Sequence, residues 1–443
     1  MCLSYISSYQ GMIKLLSSKV IVQRFLIIIF TCLAILSSAA SCTLFGGSSS
    51  GVVLGLIKRD NPDGKGYRFG FINTEKLYTG EVKQGGLNLA SGLKIAQTGT
   101  NSLYFLTEKN GFFRTVDGGK NWERKYVFGF EGTATGKRQI QREINAWLAR
   151  NNSFIATDFA VDPKNDEIVY ITGQFESTGR IFKTENGGNS FSQIYSSVEK
   201  DGFVRFVTID PENTKNVYAL AGKDTIIRSQ DGGQTWQKMN TFERETVVQI
   251  GFYKDFSNSL FALLKNQGLA FSEDFGETWK IVELTKDKQT LGEQPIGIFG
   301  QRPKKDNPKF SLYEKVLPIQ NGNYWVVIAD KNIWFSDSVE NTFLRLSLPT
   351  EAKEYETYDI FPHPTQAPQR MMVAVNNKLF ETKDGGKTWS TGDKIGLQTP
   401  IGNIGQIIID QNNDEIIYLM LVDKKTIRRD GLYQRVGGNG IFS

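Results

Sequence analysis

Ser229-Gln230-Asp231-Gly232-Gly233-Gln234-Thr235-Trp236 decides how this chain reads, because it recurs. The same pattern stands at Thr115-Val116-Asp117-Gly118-Gly119-Lys120-Asn121-Trp122, Ser272-Glu273-Asp274-Phe275-Gly276-Glu277-Thr278-Trp279 and Thr382-Lys383-Asp384-Gly385-Gly386-Lys387-Thr388-Trp389. Two looser copies at 184–191 and 336–343 end in Phe191 and Phe343 instead of Trp. Self-similarity at a period of about 45 residues marks a repeat architecture, in which each unit buries its apolar face against its neighbours. Two intervals are longer, 115–184 and 272–336, and they hold inserts at 129–152 and 285–312.

Each copy sits at the same place in a longer unit. An alternating strand comes first (154–162, 203–210), then a polar turn and a second strand (168–172, 217–221). A third strand runs into the motif and a fourth leaves after the Trp. Four short strands per unit is the grammar of a propeller blade. Six units carry the motif, and 404–410, 415–422 and 426–436 supply strands for a seventh that lacks an outer strand. The 51–72 segment is free to provide it, and closure matters because an open ring leaves sheet edges unpaired. The expectation is therefore an all-β, seven-bladed propeller of four-stranded antiparallel blades over 52–443, with one short helical insert.

The motif itself reads as a hairpin turn. Its Asp accepts backbone N–H bonds across the turn, Gly supplies positive φ, and the Trp plugs between strands. Asp117, Asp231, Asp274, Asp384, Trp122, Trp236, Trp279 and Trp389 are thus assigned a structural role. The pattern resembles the Asp-box, known from sialidases. Sialidase chemistry needs an arginine cluster, a Tyr nucleophile with an acidic partner and an Asp acid, and the Arg-Ile-Pro motif expected ahead of the first box is absent. Over roughly 55–436 the chain is similar to the Asp-box propellers of the photosystem II stability/assembly factor-like group. Similar repeats occur in sortilin-type ten-bladed domains and in xyloglucanase-type two-propeller glycoside hydrolases. The resemblance implies a binding propeller, and no catalytic position carries over residue by residue.

Composition narrows the chemistry. Cysteine occurs only at Cys2, Cys32 and Cys42, and histidine only at His363, between two prolines. Beyond Cys42 this leaves no disulfide framework, thiol nucleophile, Cys-ligated metal or multi-His site, so no cofactor and no metal are expected. Of the 52 Lys and Arg residues, Lys14, Lys19 and Arg24 precede Cys42 with no acid among them. The remainder is near neutral against 47 Asp and Glu, which argues against a nucleic-acid binder.

Those three cations, the apolar run 25–36 and the small residues 37–41 form a secretory signal over 1–41. The run into Cys42 resembles a bacterial lipobox, with Ala39 where Leu is usual. It implies lipidation at Cys42, a flexible tether over 42–51 and anchoring to the extracytoplasmic face of a membrane. Simple cleavage and secretion is the alternative, and either Met1 or Met12 can start the chain.

The loops between second and third strands share one face of a propeller, opposite the motif hairpins. They carry Lys109, Lys223, Lys265, Lys331, Lys378 and Lys424, and the inserts add Arg142, Trp147 and Arg302. These residues are the candidate binding face for a protein or glycan. Against this, polar hairpin tips simply favour Lys and Asn, and the Trp147 helix can serve as a stabilising cap. The reading is a monomeric, non-enzymatic envelope lipoprotein scaffold; the alternative is a glycoside hydrolase or carbohydrate-binding protein with a carboxylate pair in the central cleft.

Overall fold

Three second strands of the repeat are apolar along their whole length. Val217–Ala221, Leu260–Leu264 and Met371–Val375 are buried at every position. A run with no polar alternation belongs to a strand covered on both faces of its sheet. Stacking sheet against sheet supplies that cover. One apolar cluster joins Tyr218 and Leu220 to Leu260 and Ala262 of the next sheet, and another joins Val326 and Phe335 to Met371 and Val373.

The computed structural model describes 92–291 and 302–390 apart from short gaps, together with strands at 56–60, 68–71, 403–409, 417–422, 426–429 and 432–435. The signal-like segment, Cys42 and the tether lie outside the described residues.

Six antiparallel-built sheets carry four or five strands and form complete blades. In chain order the first five span 92–125, 155–196, 204–238, 247–282 and 313–346. The fifth gains an extra strand, Lys286–Leu291, parallel to Phe343–Leu346. The sixth pairs Asn403–Ile409 with Ile417–Val422. Between the fifth and sixth stands a sheet of three strands, Tyr358–Pro362, Met371–Val375 and Lys378–Thr382. The expected seven four-stranded blades are thus corrected to six. After Thr382 only one bridge forms, between Glu381 and Ser390, so no fourth strand follows among the described residues. A repeat count based on inner strands and turns does not detect this. Fourth strands are short, as in Gln237–Lys238, and carry no pattern of their own.

The sixth blade joins two segments distant in sequence: Leu56–Asp60 lies against Ile417–Val422, and Arg68–Phe71 pairs on its far side. The N-terminal segment was expected to supply one outer strand; it supplies two. The segment expected as that blade's third strand instead forms a hairpin of its own, Thr426–Arg429 with Leu432–Arg435. The first insert contains the helix Lys137–Ser153, which buries no residue fully. Among the described residues, no helix is long and apolar enough to cross a membrane.

Candidate functional site

The innermost strands surround a cavity of about 200 Å3 lined by Lys94, Asp158, Arg205, Gln249, Glu314, Lys315 and Gln406. Six of these strands shift register near the same point, for example between Gly92 and Lys94, and between Val247 and Gln249. A bulge re-aims a side chain out of the ladder, and here it turns polar groups onto the neighbouring sheet. Lys94 binds Asp158 and the Phe159 carbonyl, both at 2.7 Å. The other Asp158 oxygen accepts the Val207 amide at 3.1 Å. Arg205 donates to the Val247 carbonyl at 2.9 Å, and Gln249 accepts from Val316 N at 3.1 Å. Lys315 pairs with Asp359, whose second oxygen takes Ile407 N at 3.1 Å. Gln406 exchanges two bonds with the backbone of Ile95. Every junction around the ring is fastened this way. Asp158 and Asp359 are buried, and each is held by a lysine and an amide. Both carboxylates serve here as acceptors that tie one sheet to the next.

At one end of the strands lie the turns expected to form the binding face. Lys223 and Lys331 are exposed, Lys265 and Lys378 are half-buried, and Lys109 and Lys424 lie outside the described residues. These turns knit successive blades through backbone bonds: Val247 N donates to Lys223 O, and Tyr313 N to Lys265 O. Both inserts pack over this end. In the first, Arg150 lies over the rings of Phe128 and Phe175, beside the turn at 176–177. In the second, Lys286 pairs with Asp330 at 2.6 Å while Ser311 and Leu312 donate their amides to the same carboxylate. The Trp147 indole donates to Phe128 O at 2.7 Å and packs between Tyr126 and Phe130. Arg142 and Arg302 are exposed. Acids share this end, as Asp224 beside Lys223 and Asp330 beside Lys331 show, so the face carries both signs of charge.

The repeated turns occupy the opposite end. In each of three copies the Asp (Asp231, Asp274, Asp384) accepts the amide and hydroxyl of the Thr four residues on and the hydroxyl of the Ser or Thr two residues back. The Thr235 bonds hold the Asp231 carboxyl far below the usual carboxylate range. Asp117 accepts from Thr115 at 2.8 Å. Gly232 and Gly233 take φ of 73° and 97°, which a residue with Cβ rarely adopts. Only Trp122 is fully buried. Trp236, Trp279 and Trp389 are half-buried, so full plugging between strands is corrected for them. Trp236 lies edge-on to Tyr195 of the preceding blade, and Trp389 donates to Ser347 O after the fifth blade. His363 is also a turn residue, its Nδ1 accepting the amides of Thr365 and Gln366. Among the described residues no group of His, Cys, Asp and Glu gathers as a metal site.

The channel residues went unrecognised in the sequence. The signal was there: a polar residue inside an otherwise apolar inner strand, as in Leu93-Lys94-Ile95, Val248-Gln249-Ile250 and Tyr358-Asp359-Ile360.

Stacked antiparallel blades fastened around a central cavity define a β-propeller. The chain belongs to the DUF6242 beta propeller domain family, whose model matches residues 159–436. It is 26% identical over 177 residues to the photosystem II assembly protein Ycf48 of Thermosynechococcus vestitus, covering 36% of this chain and 49% of that protein. Among solved structures it resembles the GH74 enzyme of Niastella koreensis, with a TM-score of 0.54 and 14% identity over 75% of this chain and 51% of that one. YCF48 from Cyanidioschyzon merolae superposes with a TM-score of 0.50 and 15% identity, over 75% and 96% of the two chains. The chain spans about half the length of the first two. At these identities the structural likeness is one of fold.

Proposed function

We propose that this propeller is a non-enzymatic binding scaffold of the bacterial cell envelope, anchored by lipid at Cys42, with Asp-box turns serving only its stability. It presents the end bearing Lys223, Lys265, Lys331 and Lys378 to a protein or envelope component. One observation carries this reading: Asp158 and Asp359, aspartates of the innermost strands, each accept from a lysine and from a neighbouring sheet's amide, and so are engaged in joining blades. A retaining or inverting glycosidase needs two carboxyl groups able to exchange protons and approach a substrate. The likeness to an assembly protein supports the same reading. The likeness to a GH74 enzyme favours a second reading, a glycan-binding or glycan-cleaving propeller.

Site-specific photo-crosslinking in envelope preparations separates them. A crosslinker at 223 or 265 is expected to capture a discrete partner, and one at 383 or 387 is not. Capture only from the latter pair overturns the choice of face. Turnover of oligosaccharides by the purified protein, abolished by Asp158→Asn in a folded variant, overturns the scaffold reading.

A further inference from the structure

Two segments of this chain fit one strand edge. Leu56–Asp60 occupies the outer edge of Ile417–Val422, with Ile57 opposite Leu419. Thr426–Arg429 pairs with Leu432–Arg435 in a sheet of two strands among the described residues. Yet three residues separate Val422 from Thr426, the spacing that joins Val217–Ala221 to Thr225–Ser229 and Leu260–Leu264 to Gly268–Ser272. In those blades the strand after the turn is the third strand of the same sheet. The two segments also agree in sequence: Ile57-Lys58-Arg59-Asp60 against Ile427-Arg428-Arg429-Asp430.

We propose that Leu56–Asp60 and Thr426–Arg429 are alternative third strands of the sixth blade, exchanging on the edge of Ile417–Val422. Extending the turn register in which Ala221 faces Thr225 sets Val422 opposite Thr426, and Arg429 opposite the Leu419 that Ile57 now faces. The two isoleucines then stand two residues apart along the edge. An even offset keeps the same alternate residues on each face of the sheet. An unpaired edge exposes a row of N–H and C=O groups, so departure of one strand favours arrival of the other. Exchange trades one antiparallel ladder for another of similar length. With Thr426–Arg429 in place, Leu56–Asp60 and the Arg68–Phe71 strand paired to it leave the sixth blade.

Cysteine trapping in the full chain, with Cys2, Cys32 and Cys42 changed to Ser, tests this. Opposed residues on adjacent antiparallel strands fall within the Cα spacing of roughly 4.4–6.8 Å that a disulfide spans. Ile57→Cys with Leu419→Cys reports the present pairing, and Arg429→Cys with Leu419→Cys the exchanged one. Both double variants are expected to form intramolecular bonds under mild oxidation, and the triple variant to divide between the two. Absence of the 429–419 link where the 57–419 link forms overturns the exchange. A 429–419 link found only between molecules also overturns it, in favour of strand swapping between copies. Ile57→Pro in the otherwise unaltered chain gives an independent reading, since Pro removes a ladder donor. Hydrogen exchange of the 426–429 amides is expected to slow by about tenfold as that strand takes the edge. Unchanged exchange there rules the proposal out.

Discussion

The phenol of Tyr170 donates to the carbonyl of Gly232 at 3.0 Å, so the second blade holds the repeated turn of the third. Tyr218 repeats the contact one blade on, donating to Phe275 O at 3.1 Å. Each tyrosine faces a cation across its hairpin, Lys183 for Tyr170 and Arg228 for Tyr218, and Arg228 donates to the same Phe275 carbonyl at 2.9 Å. Burial pushes both phenols above their ordinary range, which favours the protonated, donating form. The turn motif is therefore a receptor for the neighbouring blade as well as a local hairpin.

Tyr170→Phe should cost about 1 kcal/mol of stability, the net worth of one hydrogen bond whose acceptor stays buried. Tyr218→Phe should cost less, because Arg228 keeps Phe275 O partly satisfied. Urea unfolding of the two variants checks the order; equal or reversed losses would show that the shared acceptor does not compensate.

The turn carboxylates should make the fold acid-sensitive. Asp231 and Asp274 are held below the usual range by their Thr partners; Asp384 is lowered too, its Thr388 bonds prevailing over burial. A group whose folded pKa is depressed contributes fully above its unfolded value, about 3.9, and its contribution is lost as pH falls through the folded value. Stability should therefore fall below about pH 4. The second blade supplies a natural control: Asn186 takes the Asp position, accepting Ser190 N and donating to Ser190 Oγ. Asp231→Asn should thus keep the fold at neutral pH while flattening the acid limb of a Tm-against-pH curve, and Asp231→Ala should lower Tm throughout.

Breaking the channel network should be more damaging than breaking a turn. Asp359→Ala takes the carboxylate from Lys315 and the acceptor from the Ile407 amide, and loss of one partner of a buried ion pair costs about 3–5 kcal/mol. Lys315→Met together with Asp359→Leu should recover part of that loss. Denaturant midpoints of the single and double variants decide it, and a double variant no better than the single one would count against the pairing as the source of the effect.

If the turn end opposite the motif hairpins binds through its lysines, Lys223→Glu, Lys265→Glu, Lys331→Glu and Lys378→Glu combined should weaken partner capture strongly. Capture should also decline with salt, since exposed charges are screened within about 10 Å at 0.1 M. Lys383→Glu with Lys387→Glu, exposed on the fourth repeated turn, is the matched control and should change little.

Labelling with a fatty-acid analogue should mark the wild-type protein and not Cys42→Ser. Equal labelling of the two would dismiss the anchor.

The sequence revealed the fold through the turn motif and the apolar second strands, because both depend on local rules. Val217–Ala221 falls where the pattern put it, and Ile155–Asp162 lies within one residue of its expected start. The channel ring was harder to see. Asp158 and Asp359 matter through amides 49 and 48 residues away, and a single polar residue in an apolar strand names no partner. The lysine-bearing turns, the acids beside them and the face of the inserts were visible in the sequence, but not the contacts by which Arg150 and Lys286 bring those inserts onto particular turns.

Those inserts break the equivalence of the repeats. A bare ring offers a partner several nearly identical docking positions, related by rotation about its axis. With one insert over the second blade's turn and the other over the fifth's, the turns at Lys223 and Lys265 form the stretch between two walls. A partner engaging that stretch meets one orientation instead of many, so a molecule built by repetition can still be read in a single direction.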